Sequence, residues 1–313
     1  MILVTGGAGF IGGNFLHYLK NNNLTDEVVC VDKLTYASNI KYIEPLIKSK
    51  FVKFEKCDIA DSKIKKIYKK YKPTKIINFA AESHVDNSIK NYEPFINTNI
   101  IGTINLMNHA LNLDSLEKFI HVSTDEVYGS LNLKDKKSFN ENTPYKPNNP
   151  YSASKASSDH FVNAFYKTYQ LPMIITNCSN NFGPNQNKEK FIPTIITKAL
   201  NKQKIPVYGD GLYVRDWLYV EDHCYGINLV LEKGKVGEKY NIGGGTELTN
   251  LKILDIILDK LNRSKDLIEF VQDRPGHDRR YSIDCSKIKK ELGYDPKFSI
   301  VDGLDLTIRS FIK

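Results

Sequence analysis

The sequence predicts a doubly wound α/β fold, a parallel sheet with helices on both faces, followed by a smaller C-terminal domain. Three observations carry this expectation. Short apolar runs bounded by turn residues alternate with helix-length segments through the first half. The first run leads directly into TGGAGFIGG, a glycine-rich turn that opens a helix. The length, 313 residues, is enough for one large domain or two modest ones.

Taken in order, residues 2–5 read as a strand and 11–20 as a helix. Strands follow at 28–31 and 51–55, with a helix at 64–71 stopped by Pro73. Residues 75–79 read as a strand, 95–113 as one long helix and 119–123 as a strand. These runs are near-continuously apolar, as parallel strands covered on both faces require. Residues 131–149 are polar and rich in Lys, Asn and Pro, a long surface loop able to border a site. A helix begins at Pro150 and runs to about residue 169, before Pro172. Beyond residue 171 the alternation loosens, and Pro and Gly cluster at 183–211. We therefore expect a first domain over 1–175 and a second over 176–313, with segments near 215–243 returning to the first.

Composition excludes several classes. The net charge of +8 reads as a Lys-rich solvated surface, as in KIKKIYKK at 63–70. No basic stripe carries interleaved aromatics, so no nucleic-acid partner is expected. The same balance suits a small, doubly anionic ligand. No apolar run reaches 18 residues, so no membrane span is expected. MILVTGGAGF runs straight into a strand with no secretory pattern. Cys30, Cys57, Cys178, Cys224 and Cys285 are odd in number with no CxxC spacing. That points away from a disulfide framework or zinc site and towards a reducing, cytoplasmic setting. No spacing of His, Asp and Glu suggests another metal site.

The glycine motif reads Gly6-x-x-Gly9-x-x-Gly12. Gly6 permits the tight turn, Gly9 lets backbone approach a pyrophosphate at the helix N-terminus, and Gly12 lets helix and strand pack closely. Asp32 follows at the end of the second strand, where an acid accepts from an adenosine ribose. This is a Rossmann-type fingerprint. The acid favours NAD over NADP, since a 2′-phosphate meets a like charge, although Lys33 adjoins it. Asp58, ending the third strand, is either an adenine contact or a strand-end cap.

Tyr151 and Lys155 lie one helical turn apart and so share a face. A tyrosine is a poor base at neutral pH, and a neighbouring ammonium lowers its pKa. Between fingerprint and pair stands Thr124-Asp125-Glu126. Hydride chemistry does not need two adjacent carboxylates. Elimination does, because general acid and general base must hold opposite protonation states. Side-by-side carboxylates push their pKa values apart.

Together with AAESHVDNSI (80–89), PYSASKASSDH (150–160), NCSNNFGP (177–184), YGDGLYVRDWLYVEDH (208–223), YNIGGG (240–245) and DRPGHDRRY (273–281), these motifs resemble the extended short-chain dehydrogenase/reductases of the nucleotide-sugar type. The resemblance covers almost the whole chain. Within that family the Thr-Asp-Glu run resembles the 4,6-dehydratases. It implies NAD as cofactor, a nucleotide sugar such as dTDP-glucose as substrate, and dehydration to a 4-keto-6-deoxy sugar. The implied roles are Tyr151 as base at the C4 hydroxyl oriented by Thr124, Lys155 as its partner, Glu126 as base at C5 and Asp125 as acid to the C6 hydroxyl. Cofactor contacts are implied for Gly6, Gly9, Phe10, Ile11, Gly12, Asp32, Lys33, Leu34, Thr35, Asp58 and Ile59. The same holds for Phe79, Ala80, Ala81, Ser83, Thr98, Asn181, Tyr151 and Lys155.

On the substrate side the resemblance implies Ser83, Thr124 and Asn180 near the sugar. It implies Lys190, Phe191, Arg215, Asn250, Asp273, Arg274 and His277 around the nucleotide diphosphate, and Pro206, Val207 and Tyr208 beside the base. Guanidinium forks suit phosphate oxygens. A homodimer through the helices near 95–113 and 151–169 is also implied. Gly13, Asn87 and Phe182 depart from residues frequent in the family and bear on fine substrate preference. The alternatives are a UDP- or CDP-glucose 4,6-dehydratase, a nucleotide-sugar 4-epimerase, or a cofactor-binding scaffold without turnover. The acid pair argues against an epimerase, and the intact catalytic set against a scaffold.

Overall fold

A computed structural model describes residues 1–25 and 27–312. The first half runs β1 (Ile2–Thr5), α1 (Phe10–Asn21), β2 (Val28–Asp32), α2 (Ile40–Lys48), β3 (Val52–Lys56), α3 (Ile64–Tyr71), β4 (Lys75–Asn78) and α4 (Val85–Lys90). Next come α5 (Glu93–Phe95), a π-helical stretch Ile96–Gly102, α6 (Thr103–Ala110), β5 (Lys118–Thr124), a 3₁₀ turn Asp125–Tyr128 and α7 (Pro150–Tyr169). The remainder is β6 (Met173–Cys178), β7 (Asn180–Phe182), α8 (Phe191–Leu200), β8 (Ile205–Tyr208), β9 (Val214–Tyr219), α9 (Val220–Lys233), β10 (Lys239–Ile242), β11 (Glu247–Thr249), α10 (Asn250–Lys260), β12 (Ile268–Val271), α11 (Ser286–Leu292) and α12 (Ile300–Ile312).

Seven strands form one parallel sheet in the order β10-β6-β5-β4-β1-β2-β3. The chain reverses direction across the sheet between β1 and β4, and such switch points open a crevice at the strands' carboxyl ends. One sheet face buries Phe15, Leu16, Ile43 and Ile227, and the other Ile67, Leu106, Met107 and Phe165. Burying each such side chain contributes about 1.5–3 kcal/mol. A mixed three-stranded sheet (β11-β9-β7) and the parallel pair β12-β8 carry a separate core under α8, α10 and α12, centred on Trp217.

Two expectations need correction. The boundary at 175/176 falls inside β6, all of which belongs to the large sheet. The returning segment starts at Val220 rather than 215, because β9 pairs with β7 and β11 while α9 and β10 rejoin the large sheet. The long helix expected over 95–113 is present but runs over 93–110, as α5, the π-helical stretch and α6 in unbroken succession. Phe95, Thr98, Asn99, Gly102 and Thr103 are buried at i, i+3, i+4 spacing, which points Thr98 and Asn99 inwards together. Asn99 accepts from the Glu82 amide at 2.9 Å and donates to Ser154 Oγ at 2.8 Å, tying the loop after β4 to α7.

Candidate active site

A cleft of about 620 Å³ lies at the switch point and extends between the two cores. Its floor is the glycine turn. Gly6 holds φ +69°, a left-handed conformation that favours glycine, and its amide donates to Val31 O at 2.8 Å. A Cβ on Gly12 would sit 2.4 Å from Gly6 O, so α1 approaches β1 only because no side chain intervenes. Gly9, Phe10 and Ile11 line the cleft beside them.

Asp32 is buried at the end of β2. It accepts from the Ala8 amide at 3.0 Å with Oδ2, and from the Leu34 amide at 2.8 Å and Ser38 Oγ at 2.9 Å with Oδ1. Lys33 lies 3.6 Å from both Asp58 and Glu82 and donates to Thr98 Oγ1 at 3.0 Å. Two carboxylates therefore occupy its charge, which leaves Asp32 to set the local sign. Buried Ser179 Oγ and Asn180 Oδ1 line the cleft without a protein partner. The tight glycine cradle, the acid at the end of β2 and these free polar atoms fit NAD. Thr35, Ile59, Phe79, Ala80, Ala81, Ser83 and Asn181 also line this half.

Asp58 and Leu34 do not line the cleft. Asp58 caps the following turn, accepting from the Ala60 amide at 2.9 Å, and Leu34 contributes its backbone amide to Asp32.

The residues expected to react meet where β5 ends. Thr124 caps the 3₁₀ turn by accepting from the Glu126 amide at 3.3 Å, and its hydroxyl donates to Asp125 Oδ1 at 3.3 Å. Opposite stands the start of α7. Its capping box joins Asn149 to Ser152, and the Tyr151 amide donates to Ser88 Oγ at 3.2 Å. The Tyr151 ring packs edge-on to Phe95. Lys155 Nζ donates to Val122 O at 2.9 Å.

Burial drives the electrostatics. It pushes Asp125 well above the usual carboxylate range, reinforced by Glu126 and Asp216 and only partly opposed by Arg215 and Thr124. Asp125 Oδ2 has no partner, as suits a carboxylic acid with a proton to give. Burial raises Glu126 too, but Arg274, Lys190 and Arg215 pull it back. Both carboxyls are thus raised, but neighbouring acids reinforce the shift on Asp125 while three cations oppose it on Glu126. Burial and the Glu126 charge also push Tyr151 well up, with Thr124 opposing. The tyrosine therefore needs a positive neighbour to act as a base.

Cations form the far wall. Lys190 reaches across to Ser83 O at 2.6 Å. Arg215 is buried against Tyr281, its guanidinium 4.4 Å from the ring. Arg274 pairs with Asp86 at 2.9 Å, which leaves its buried Nε without a partner. His277 stacks on Tyr213 at 3.7 Å and holds Asp273 at 2.7 Å through Nδ1. Burial, then Arg274, lowers His277 to about 4, so it is a neutral ring. Phe191, Pro206, Tyr208 and Asn250 line this half, but Val207 and Asp273 do not. Alternation along β8 turns Val207 into the second core between Pro206 and Tyr208, and Asp273 acts through His277 and Tyr213.

Glu82, His84, Asp86, Glu189 and Trp217 line the cleft with no role foreseen from sequence. Glu82, His84 and Asp86 stood inside a recognised motif. Only the fold brings Asp86 to Arg274 and to Tyr208 Oη at 3.1 Å. Among the described residues, no group of His, Cys, Asp and Glu is arranged to hold a metal.

Comparison with known proteins agrees with this geometry. The sequence profile of the GDP-mannose 4,6 dehydratase family matches residues 3–307. The chain belongs to that family. The dTDP-glucose 4,6-dehydratase of Haemophilus influenzae is 48% identical, over 99% of this chain and 97% of the relative. Within the family, the solved dTDP-glucose 4,6-dehydratase DesIV of Streptomyces venezuelae, with NAD bound, superposes with a TM-score of 0.95 at 45% identity, covering 99% of this chain and 96% of that one. The UDP-glucuronic acid 4-epimerase of Bacillus cereus superposes almost as well, TM-score 0.92, at 28% identity over 99% and 98% of the two chains. Backbone shape alone therefore does not separate dehydratase from epimerase.

Proposed function

We propose that this protein catalyses the NAD-dependent dehydration of dTDP-glucose to dTDP-4-keto-6-deoxyglucose. The observation that carries the reading is the acid pair, buried Asp125 with a free Oδ2 beside Glu126 facing three cations. Bound NAD supplies the hydride acceptor for C4 and the donor that later reduces C6. Every other task falls to the chain. Tyr151, with the Lys155 ammonium beside it, removes the C4 hydroxyl proton, and Thr124 orients that hydroxyl. The C4 ketone acidifies the C5 proton, which Glu126 removes. Asp125 protonates the departing C6 hydroxyl, which leaves as water. Glu126 then returns a proton to C5, so the net change is loss of one water. Lys190, Arg215 and Arg274 counter the diphosphate charge.

The cytoplasm suits this activity; no helix among the described residues is long and apolar enough to cross a membrane. We infer a homodimer as well. Phe161 on α7 and Ile96 and Ile101 on the neighbouring π-helical stretch are 43%, 42% and 48% exposed, an apolar face that a second copy covers as a four-helix bundle. Sedimentation equilibrium reads that state directly.

The activity test incubates the protein and NAD with dTDP-, UDP- and CDP-glucose and follows the 4-keto-6-deoxy chromophore. Product from dTDP-glucose is expected. Product only from UDP- or CDP-glucose overturns the base assignment, and no product from any of the three overturns the reaction.

A further inference from the structure

Behind the Tyr151–Lys155 pair lies a buried polar cluster that the proposed mechanism does not use. Lys155 is 3% exposed, and burial disfavours an unpaired ammonium, which then gives up its proton. Val122 O supplies only a carbonyl dipole. His121, on β5, places Nε2 3.3 Å from Lys155 Nζ. Asp159 Oδ1 lies 3.4 Å from the same Nε2, and neither side chain exceeds 1% exposure. Asp159 follows Lys155 by one turn of α7, so Tyr151, Lys155 and Asp159 share a helix face.

The surrounding bonds fix the charges. Asn78 Oδ1 accepts from Thr5 at 2.6 Å, which turns Asn78 Nδ2 as a donor towards His121 Nδ1 at 3.2 Å. The imidazole proton therefore sits on Nε2, the nitrogen that Ser158 Oγ at 3.2 Å, Lys155 Nζ and Asp159 Oδ1 all approach, and Asp159 Oδ1 itself has no hydrogen-bond partner. Burial, then the Lys155 charge, lowers His121 to about 4 and keeps it neutral. Burial alone would raise Asp159, but His121, Lys155 and Ser123 outweigh it and hold the carboxyl below its usual value. Asp159 Oδ2 accepts from Ser123 Oγ at 2.8 Å and Asn177 Nδ2 at 3.5 Å. Tyr128, Tyr145 and Lys239 face Asp159 from other elements. Burial pulls Lys155 below its usual value, opposed first by Asp159 and then by Cys178, while Glu126 and Asp125 face Tyr151.

We propose that Asp159, which approaches the same His121 nitrogen as Lys155, is the counter-charge that keeps Lys155 an ammonium at neutral pH. Asp159 is thus a positioning residue for the Tyr151–Lys155 pair. Its use in turnover rests on the dehydratase reading, but the Lys155 charge does not. Removing the Asp159 charge has two opposed effects on Tyr151. Loss of a distant anion, about 12 Å along the helix, lowers the tyrosine pKa, and loss of the adjacent ammonium raises it. The nearer effect wins.

The test follows the ε-carbon signal of Lys155 in [ε-13C]lysine-labelled protein, identified by its loss in Lys155→Arg, through a pH titration. Wild-type Lys155 is expected to stay charged through neutral pH. In Asp159→Asn its apparent pKa falls by about one unit or more, and Asp159→Glu restores it. The acid limb of kcat/KM in Asp159→Asn moves to higher pH, with KM little changed. A neutral Lys155 in the wild type overturns the proposal, and that measurement stands even if Asp159→Asn does not fold. An unmoved Lys155 titration in folded Asp159→Asn, or an acid limb moved to lower pH, overturns it as well. The resonance needs no turnover, so failure of the dehydratase assay leaves this test intact.

Discussion

Asp125→Asn isolates the elimination step. Asparagine keeps the shape of Asp125 and the Oδ1 acceptor that Thr124 uses at 3.3 Å. It loses only the transferable proton on the unpartnered Oδ2. Because burial favours the neutral acid at Asp125, the neutral asparagine disturbs the charge around Glu126 and Tyr151 little. General-acid assistance contributes about 10²–10⁴-fold, and an unprotonated hydroxyl is a poor leaving group, so product formation should fall about 10³-fold, or about 4 kcal/mol in the barrier. Oxidation at C4 and proton removal at C5 should persist. The assay is NMR in D₂O with dTDP-glucose, scoring deuterium at C5 of residual substrate against product formed. In Asp125→Asn, C5 exchange should outrun elimination, whereas Glu126→Gln should lose both. Product formation within about threefold of wild type, or C5 exchange lost in parallel with it, refutes the division of labour.

Other consequences follow from the same geometry. Gly12→Ala drives a methyl to 2.4 Å from Gly6 O, so it should cost about 1–3 kcal/mol by chemical denaturation and weaken NAD binding measured by calorimetry. Arg274→Ala removes a guanidinium whose Nε lacks a protein partner, so KM for dTDP-glucose should rise by about 10- to 100-fold with kcat changed far less. His121 and His277 are each held near 4, below the unfolded value of 6.5, so the folded chain binds fewer protons than the unfolded one in that window. Their stability contribution is present above the unfolded value and is lost as pH falls towards 4, by about 1.4 kcal/mol per pH unit for each histidine. Chemical denaturation across this window reads the slope, and His121→Gln should flatten its share.

The sequence by itself determined the parallel sheet, the glycine cradle and the reacting set Thr124, Asp125, Glu126, Tyr151 and Lys155. Each is written in local spacing: apolar runs of strand length, glycines where a helix meets a strand, and a four-residue interval that puts tyrosine and lysine on one helix face. Adjacent carboxylates announced an acid and a base, and the family resemblance implied Asp125 as the acid and Glu126 as the base. Only tertiary structure shows the surroundings that bias each, because pKa depends on burial and on charges distant in sequence. Asp216 from β9 reinforces the Asp125 proton, while Arg274 and Lys190 face Glu126. Packing also made Asp58 a turn cap and turned Val207 inwards. The Asp86–Arg274 pair joins residues from different elements, as does the approach of His121 to Lys155 and Asp159, so local periodicity carries no trace of either, although Lys155 and Asp159 stand one turn apart on α7. Local order writes the elements and the reacting groups, and long-range packing assigns each group its charge.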